Sequence, residues 1–354
     1  MERMKRALML MGAVFLAGCD WMVESMMTKR PTELDQPGVR VGEGVLQKSV
    51  WLDEASLGDI TSITPAGTRG FLVAGTAAAG YVKDAALTGR IAWPEHLGHV
   101  EPIDVEGDGT LEFLDRGGHG WQGAALLDGG GRSRFRPAAG QGIDDMAAGH
   151  LDADGRLDFV VGHNGGSGVV RYDADGRERW RQDDGNVWHV EIVDTDADGK
   201  GEIVHSNAAG QLTVRDASGA VVRRVDPPGS YFSSFSLVRW PRTAPPRPVY
   251  AADGTLWITD YTGGTAAQLA AAGAETLGDA RAVAFRFGKD DHLAALVEFS
   301  HWDRSVLFVF EPAGAPVYRE VTAGSCRALA STPAEGGDDL LAGCGARVWR
   351  YRAR

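Results

Sequence analysis

The chain has 354 residues, of which 44% are hydrophobic and 24% are charged, so it can bury a core and is not a disordered polymer. Its formal net charge is −12, whereas phosphate binding requires clustered lysine and arginine, so we expect no nucleic-acid partner. The 48 glycines predict many turns and short strands rather than long helices.

Residues 1–18 have the organisation of a signal peptide. The basic segment MERMKR precedes the apolar segment ALMLMGAVFLAG, which is too short to span a bilayer. The ending LAGC (Leu16–Cys19) resembles the lipobox of bacterial lipoproteins, in which the cysteine thiol carries a diacylglyceryl group. This resemblance implies cleavage after residue 18, a lipid on Cys19 and a flexible tether over 19–43. The alternative is an ordinary secretory signal with a chance cysteine.

The predicted lipid anchor places the protein in a cell envelope. Cleavage would remove three basic residues and one acidic residue, which changes the net charge from −12 to −14. We expect a Gram-negative-like bacterium, with the lipid in the periplasmic face of the inner or outer membrane or at the cell surface. Asp20 follows the cysteine and favours the inner membrane by resemblance to enterobacterial sorting.

Acidic turn residues recur along the chain at a nearly constant spacing. One series consists of Asp84, Asp128, Asp173, Asp216, Asp260 and Glu311, with separations of 44, 45, 43, 44 and 51 residues. A second series, of carboxylate-rich loops, begins at Asp104, His150 and Asp194, with separations of 46 and 44. Two independent series with one period indicate a structural repeat of about 44 residues.

Each repeat contains short apolar runs separated by turns, which predicts four antiparallel strands, the pattern of a propeller blade. Residues 44–354 accommodate seven units of this length. We therefore predict an all-β fold, a seven-bladed β-propeller of four-stranded antiparallel blades. The last unit lacks a fourth strand, and VLQKSVWL (Val45–Leu52) is the candidate that closes the ring. The helix-like stretch 264–278 is interpreted as the outer strand and loop of the fifth unit.

The carboxylate-rich loops have a spacing that suits a hard divalent cation. Carboxylates occupy alternate positions, the first, third and fifth, except that His150 is first in the second loop. A glycine at the sixth position supplies the positive φ of a tight curl, and a carboxylate at the ninth position begins the next strand. The predicted ligands are Asp104, Glu106, Asp108, Thr110 and Glu112; His150, Asp152, Asp154, Arg156 and Asp158; and Asp194, Asp196, Asp198, Lys200 and Glu202. The residue at the seventh position of each loop would offer its carbonyl oxygen. Histidine is a poor calcium ligand, so the second site is expected to be weaker.

These loops resemble the FG-GAP, or VCBS-type, repeats of integrin α-subunit propellers and of many bacterial surface proteins. In those repeats a D-x-D-x-D-G-x-x-D loop joins the first two strands of a blade and binds calcium. The resemblance covers three consecutive units and implies two or three structural Ca²⁺ ions on one face. The alternative is that the acids are solvated turn residues, although crowded like charges are destabilising without a cation. YDADG (Tyr172–Gly176) belongs to the other series and is interpreted as a plain hairpin turn.

Loops on the opposite face contain aromatic and histidine side chains, which are typical of recognition surfaces. The predicted ligand-binding face comprises His119, Trp121, His163, Trp188, His189, His205, Tyr231, Phe232, His301 and Trp302. The alternative is that these side chains pack between blades or satisfy backbone groups. A zinc site shared by His119, His163 and His205 is disfavoured, because equivalent positions on neighbouring blades are too far apart.

Cys326 and Cys344 lie in two short predicted strands joined by a turn-rich linker. A hairpin through that linker places the cysteines opposite each other, and an envelope compartment is oxidising. We therefore predict a disulfide, with two buried free thiols as the alternative.

The sequence favours a binding or scaffold module over an enzyme. It contains no G-x-S-x-G, H-E-x-x-H or P-loop motif. We expect a lipid-anchored, calcium-stabilised propeller with a protein or glycan partner. The alternative is a propeller enzyme that acts on polysaccharide, or a quinoprotein-like dehydrogenase, since the fold alone excludes neither. Asp144, Asp145 and Arg281 are the only candidates for acid–base chemistry, and the tryptophans lack the fixed repeat position of a quinone-docking motif.

Overall fold

The computed structural model describes residues 32–93, 95, 97–117, 123–138, 142–152, 154–229, 232, 234–271, 279–299 and 302–354. These residues form β-strands connected by turns, with short 3-10 turns at Thr32–Leu34, Ala55–Leu57 and Gly67–Arg69. No helix in this part of the chain is long and apolar enough to cross a membrane. The predicted signal peptide and Cys19 lie outside the described residues.

Five four-stranded antiparallel sheets follow one another along the chain. The strands of the first two sheets are β3 (Ile60–Pro65), β4 (Phe71–Gly75), β5 (Ala78–Lys83), β6 (Ala86–Ala92), β7 (Val100–Ile103), β8 (Glu112–Asp115), β9 (Ala125–Leu127) and β10 (Ser133–Phe135). The third and fourth contain β11 (Ile143–Gly149), β12 (Asp158–His163), β13 (Val169–Tyr172), β14 (Glu178–Gln182), β15 (Val190–Val193), β16 (Glu202–Ser206), β17 (Leu212–Arg215) and β18 (Val221–Val225). The fifth consists of β19 (Ser236–Val238), β20 (Arg247–Ala252), β21 (Thr255–Thr259) and β22 (Thr265–Ala270).

The remaining strands form one nine-stranded sheet, which includes both ends of the described chain. Its strands are β1 (Gly38–Val41), β2 (Leu46–Asp53), β23 (Asp279–Phe287), β24 (Asp290–Phe299), β25 (Arg304–Phe310), β26 (Pro316–Val321), β27 (Cys326–Ala334), β28 (Gly337–Cys344) and β29 (Arg347–Ala353). The pairing order is β1-β26-β25-β24-β23-β28-β29-β2, and β27 pairs with β28.

The all-β propeller with four-stranded antiparallel blades is confirmed, but the prediction of seven blades is wrong. The structure has five separate four-stranded sheets, and the strands assigned to the last two units belong to one sheet. The junction is a pairing between Phe287 at the end of β23 and Gly337 at the start of β28. A Cβ on Gly337 would lie 2.7 Å from the carbonyl oxygen of Arg286, so only glycine permits this approach. The repeat length in the sequence predicts one separate sheet for each repeat. It contains no signal for a pairing between strands of two repeats.

The predicted pairing of an N-terminal strand with the end of the chain is confirmed. β2 pairs antiparallel with β29 from Leu46 opposite Ala353 to Asp53 opposite Arg347. The stretch 264–278 contains the outer strand β22, as predicted, and residues 272–278 lie outside the described part. The period therefore located the strands well, although it misjudged how the last ones assemble.

The hydrophobic core consists of clusters between neighbouring sheets. In one of them Leu114 and Leu126 of the second sheet pack against Phe159, Val161 and Val170 of the third. Burial of one such side chain contributes about 1.5–3 kcal/mol relative to exposure. The second strands are buried on both faces, whereas outer strands such as β6 alternate between exposed and half-buried residues. The first strand of each four-stranded sheet, together with β23 and β27, surrounds a common cavity on the propeller axis.

Candidate functional site

Three acid loops connect the first and second strands of the second, third and fourth sheets, as predicted. Acid loop 1 is 104–112, acid loop 2 is 150–158 and acid loop 3 is 194–202, and each follows the end of its first strand. All three therefore lie on the same side of the propeller. The axial cavity is lined by residues near the beginnings of the same strands, on the opposite side.

Acid loop 3 brings three carboxylates together. Oxygen atoms of Asp194, Asp196 and Glu202 lie within 4.8 Å of one another, close enough to share one metal ion. The curl of the loop depends on positive φ angles of 66° at Ala197 and 87° at Gly199. Among the described residues, no arginine side chain lies within ion-pair distance of these three carboxylates. This loop therefore brings together carboxylate oxygens of the type that calcium binds in proteins.

Acid loop 1 is partly neutralised by an arginine of its own sheet. Arg134, on the outer strand β10, places Nη2 2.6 Å from Oε1 of Glu106 and Nη1 3.4 Å from Oε1 of Glu112. The hydrogen bond from Arg134 lowers the pKa of Glu106, while burial raises the pKa of Glu112. The guanidinium thus holds together two of the predicted ligands from opposite ends of the loop.

Acid loop 2 is neutralised even more completely. The Arg171 guanidinium on β13 pairs with Asp152 and donates from Nε and Nη2 to Oδ1 of Asp158, at 3.1 and 2.9 Å. His150 donates from Nδ1 to the carbonyl oxygen of Arg156 at 3.2 Å, and the Arg156 side chain pairs with Asp175. The third and ninth positions of the loop therefore bind an arginine of the chain itself.

Equivalent positions explain why acid loop 3 differs. Arg171 pairs with Val160, two residues after Asp158, and Val214 pairs with Val204, two residues after Glu202. Valine thus replaces the arginine that neutralises acid loop 2. On the outer strand, Val222 stands where the second sheet has Arg134, and it is 51% exposed. Neither valine can neutralise a carboxylate, so acid loop 3 keeps its negative charge.

The segment Tyr172–Gly176 forms a hairpin turn between β13 and β14, as predicted. Oδ1 of Asp173 accepts hydrogen bonds from the backbone N–H groups of Asp175 and Arg177, at 3.0 and 2.9 Å. Aspartate at this place satisfies the turn backbone with its own side chain. Asp128, Asp216 and Asp260 make the same kind of turn in their sheets.

The axial cavity has a volume of about 450 Å³, and an ionic network lies along its wall. Its centre is Arg116, whose Nε and Nη2 donate to both carboxylate oxygens of Asp145, at 2.9 and 2.8 Å. Its Nη1 lies 3.0 Å from Glu191 and 3.4 Å from Glu101. Burial alone would lower the pKa of Arg116, but Asp145, Glu191 and Glu101 outweigh burial and raise it well above its usual value.

A histidine closes the network on one side. His189 Nδ1 lies 2.8 Å from Oδ2 of Asp145, and its Nε2 lies 3.3 Å from Glu191. Burial alone would lower the pKa of His189, but the effect of Asp145 and Glu191 is larger than that of burial and raises the pKa to about 9. Burial would likewise raise the pKa of Asp145, yet Arg116 and His189 hold it well below its usual range. At neutral pH, His189 is therefore a cation and Asp145 an anion.

A second histidine connects the network to Arg281 of β23. His99 Nε2 lies 2.7 Å from Glu101, and Arg281 Nη2 donates to His99 Nδ1 at 3.1 Å. Since Nδ1 accepts a hydrogen bond, the ring proton lies on Nε2. Burial and the nearby Arg281 lower the pKa of His99, so the ring is neutral. Asp144, Asp145 and Arg281, which the sequence proposed for acid–base chemistry, thus line one cavity.

Sequence reasoning missed His99, Glu101, Arg116 and Glu191, although the repeat carries a signal for them. His99, Asp145 and His189 are separated by 46 and 44 residues, the repeat period, and occupy equivalent positions, directly before the paired residues Val100, Met146 and Val190. The tripeptide HVE also occurs twice, at 99–101 and 189–191. Polar residues at one repeat position of an inner strand would have located the cavity wall.

The predicted ligand-binding face is distributed over three environments. Trp188 and His189 line the axial cavity, and Trp302 is half-buried beside Phe299. Phe232 is buried against Tyr250, with 4.6 Å between the ring centroids. The residues His119, Trp121, Tyr231 and His301 lie outside the described part of the chain.

His163 and His205 are fully buried rather than exposed at the mouth. His163 Nδ1 donates to the carbonyl oxygen of Gly142 at 3.2 Å. His205 accepts from Arg215 Nε at 3.0 Å and donates from Nδ1 to the carbonyl oxygen of Ser206 at 3.0 Å. Burial lowers the pKa of His205 to about 4, so it is neutral. Both side chains satisfy backbone or buried groups, which is the alternative that the sequence left open.

The predicted disulfide is confirmed. Cys326 of β27 and Cys344 of β28 stand opposite each other and are bonded. The bond closes a loop with a sequence separation of 18 residues, which in the chain-entropy description contributes about 3 kcal/mol.

No family model and no curated protein matches the sequence, so the FG-GAP resemblance stays a prediction. Two solved structures of BBS1N in complex with ARL6DN have a similar fold. The one soaked with mercury is 11% identical, covers 89% of this chain and 96% of BBS1N, and gives a TM-score of 0.57. The one soaked with lead is 13% identical, covers 86% of this chain and 97% of BBS1N, and gives a TM-score of 0.53. At this identity the likeness shows the β-propeller fold alone.

Proposed function

We propose that the protein is a binding module of a bacterial cell envelope and that its partner docks at the axial cavity. The observation that carries this proposal is the cavity wall, where buried charges from three neighbouring sheets hold one another in fixed positions. A rigid, polar and aromatic concavity is typical of recognition sites. The similar propeller BBS1N is described in complex with ARL6DN, which is compatible with a binding or scaffold role.

The same network argues against acid–base catalysis. A general base must accept a proton near the operating pH. Asp145 is bound at both oxygens by Arg116 and has a pKa well below its usual range, so it is a poor proton acceptor. Glu101 is held likewise: burial raises its pKa, but Arg116 and His99 outweigh burial and lower it strongly. We therefore place binding ahead of a polysaccharide enzyme on this scaffold.

Calcium is proposed as a structural ion at acid loop 3. The support is the convergence of Asp194, Asp196 and Glu202 without an arginine among the described residues. Acid loops 1 and 2 have Arg134 and Arg171 among their carboxylates, so a cation there would compete with a charge already in place. One ion at acid loop 3 is the arrangement that the donor sets support best.

The proposed location rests on the lipobox at Leu16–Cys19. A Cys19→Ala variant expressed in a Gram-negative host should leave the membrane fraction and lose metabolic labelling by a fatty acid. A variant that stays in the membrane fraction and remains labelled would remove the anchor from the proposal.

Photo-crosslinking tests partner docking directly. A photoreactive phenylalanine derivative would replace Ser234, which lines the cavity, or Ser218, which is exposed in a hairpin turn on the acid-loop side. We expect a discrete adduct in intact cells from position 234 and none from position 218. Equal adducts from both positions, or none from either, would contradict docking at the axial cavity.

A further inference from the structure

We propose that the axial cavity holds its ligand by a single carboxylate group, which binds the Arg281 guanidinium. The inference rests on the proposed binding function and specifies the chemistry of the ligand. It follows from one contrast within the cavity: two arginines line it, and among the described residues only Arg116 forms direct ion pairs.

Arg116 is saturated by the protein. Its guanidinium bonds both oxygens of Asp145, lies close to Glu101 and Glu191, and donates to the carbonyl oxygen of Val190 at 2.8 Å. Five N–H donors are available on a guanidinium, and these contacts use most of them. Arg116 is therefore a structural cation of the cavity wall.

Arg281 is in a different state. Within the described residues its only hydrogen bond goes from Nη2 to His99 Nδ1 at 3.1 Å, and no carboxylate lies within ion-pair distance. His99 is neutral, because burial and Arg281 itself lower its pKa. Arg281 consequently has an acceptor for one donor but no ion-pair partner, although its charge acts on Glu101 from a distance, and its other donors remain for a ligand in the cavity.

The surroundings hold Arg281 in place for such a ligand. Ser236 Oγ donates to the carbonyl oxygen of Ala280 at 2.7 Å, which fixes the backbone beside Arg281. His99 fixes the far end of the side chain, since it is itself bound to Glu101 at 2.7 Å. A guanidinium positioned at both ends loses little freedom when it binds, and its planar fork matches the two oxygens of a carboxylate.

The wall of the cavity also contains a buried hydroxyl group. Ser62 lines the cavity, is 8% exposed, and its Oγ makes no hydrogen bond within the described residues. Buried hydroxyl groups are nearly always paired, so an unpaired one at the wall of a cavity indicates an ordered water. Because this Oγ is itself fully buried, a ligand in the cavity does not contact it, and Arg281 alone carries the proposed contact.

The charge of the cavity limits the ligand to one negative charge. Arg116, Arg281 and protonated His189 face four acidic side chains, Glu101, Asp144, Asp145 and Glu191. This excess of one negative charge opposes any anion, and it opposes a phosphate or a polyanion more strongly than a single carboxylate, which must be held by direct contact with Arg281. A volume of about 450 Å³ suits a small molecule or the end of a chain, and Trp188 and Phe235 supply an apolar wall.

A monocarboxylate of this size comes from an acidic sugar or from the C-terminus of a peptide, and matched probes distinguish the two. Titration calorimetry of the full-length chain in detergent would compare glucuronate with glucose, and trialanine with trialanine amide. We expect the carboxylate member of one pair to bind at least tenfold more tightly than its neutral partner. Tighter binding of glucuronate than of glucose identifies the ligand class as an acidic sugar. Tighter binding of trialanine than of its amide identifies it as the C-terminus of a peptide.

Variants then locate the contact. Arg281→Gln should weaken carboxylate binding at least tenfold, and Arg281→Lys should weaken it less. Arg132→Gln, at an arginine with an 87% exposed side chain, is the control and should bind as the wild type does. The thermal unfolding of each variant would verify that it is folded.

The proposal is overturned if neither carboxylate binds better than its neutral partner, or if Arg281→Gln binds as tightly as the wild type. Its failure is distinguishable from failure of the proposed function. A crosslinked partner at position 234 without carboxylate preference leaves the binding module intact and removes only the ligand chemistry. Carboxylate binding without a crosslinked partner retains the inference and points to a small-molecule ligand.

Discussion

Acid loops 2 and 3 both crowd carboxylates together, but only acid loop 2 has an arginine of the described residues, Arg171, bound among them. Crowded carboxylates need a positive charge, which in acid loop 2 comes from a guanidinium bound to Asp152 and Asp158. Acid loop 3 has Val214 at that place, and its carboxylates converge within 4.8 Å without an arginine. Lys200 lies 3.9 Å from Asp198, but no basic side chain of the described residues pairs with Asp194, Asp196 or Glu202, and the metal ion proposed above would supply the positive charge there.

Calcium should therefore raise the melting temperature through acid loop 3 alone. A ligand that binds only the native state stabilises it by about 2.7 kcal/mol at a hundred times its Kd. We expect a calcium-dependent rise in wild type that is lost in Asp194→Asn/Asp196→Asn and retained in the control Asp104→Asn. Thermal unfolding in calcium and in excess chelator measures this. A calcium-dependent rise in melting temperature that persists in the double variant would show that the ion binds outside acid loop 3.

Arg171→Met should destabilise the protein by about 3 kcal/mol, because it leaves Asp158 buried without its counter-charge. Arg132→Met, at an exposed arginine, is the matched control and should cost less than about 1 kcal/mol. Millimolar calcium should restore part of the loss in Arg171→Met, since the variant leaves acid loop 2 with unpaired carboxylates. Urea unfolding with and without calcium decides this, and an unchanged stability would show that the arginine is dispensable.

At the scale of strands and turns, the sequence was informative wherever a local pattern decides the structure. Aspartate followed by glycine marked the hairpin turns, because the side chain of a residue such as Asp173 satisfies the turn backbone by itself. The N-terminal strand was found from the missing fourth strand of the last repeat. Pairing between repeats is different, since the contact of Phe287 with Gly337 depends on strand length and on the lack of a Cβ rather than on any period.

Two truncations separate the contributions of β1 and β2. A chain that begins at residue 42 loses β1 but keeps β2, whereas one that begins at residue 54 also exposes the edge of β29. The second deletion removes the buried Leu46 and Leu52, each worth about 1.5–3 kcal/mol. We expect the shorter chain to lose several kcal/mol relative to the longer one and to aggregate through its open edge. Equal unfolding midpoints for both chains would contradict a closing role for β2.

At the scale of the whole molecule, the two faces have opposite character. The acid loops occupy one side, and the axial cavity opens on the other, where first strands from all sheets begin. The sequence assigned metal and ligand to opposite faces from the alternation of loops. It could not place His163 and His205, because spacing alone does not distinguish an exposed loop residue from one buried at a strand end.

Two buried histidines should give the folded state a stability maximum near neutral pH. The pKa of His205 falls from 6.5 to about 4 on folding, because burial disfavours its charge. Its contribution is complete above pH 6.5 and is lost as the pH falls toward 4, where the unfolded chain takes up the proton. The pKa of His189 rises from 6.5 to about 9, so its contribution is complete below pH 6.5 and is lost as the pH rises through 9.

Replacing His189 by glutamine tests the alkaline side of this profile. Glutamine keeps a donor for Asp145 but has no proton to lose, so the decline between pH 6.5 and 9, up to about 3 kcal/mol in wild type, should become shallow. His150→Gln, at an exposed histidine of acid loop 2, should leave the decline as it is. Urea unfolding from pH 5 to 9.5 in calcium-free buffer gives all three profiles. If His189→Gln declines as steeply as the wild type, the proton is not held at Asp145 and Glu191, and the positive charge assigned to the cavity wall is wrong.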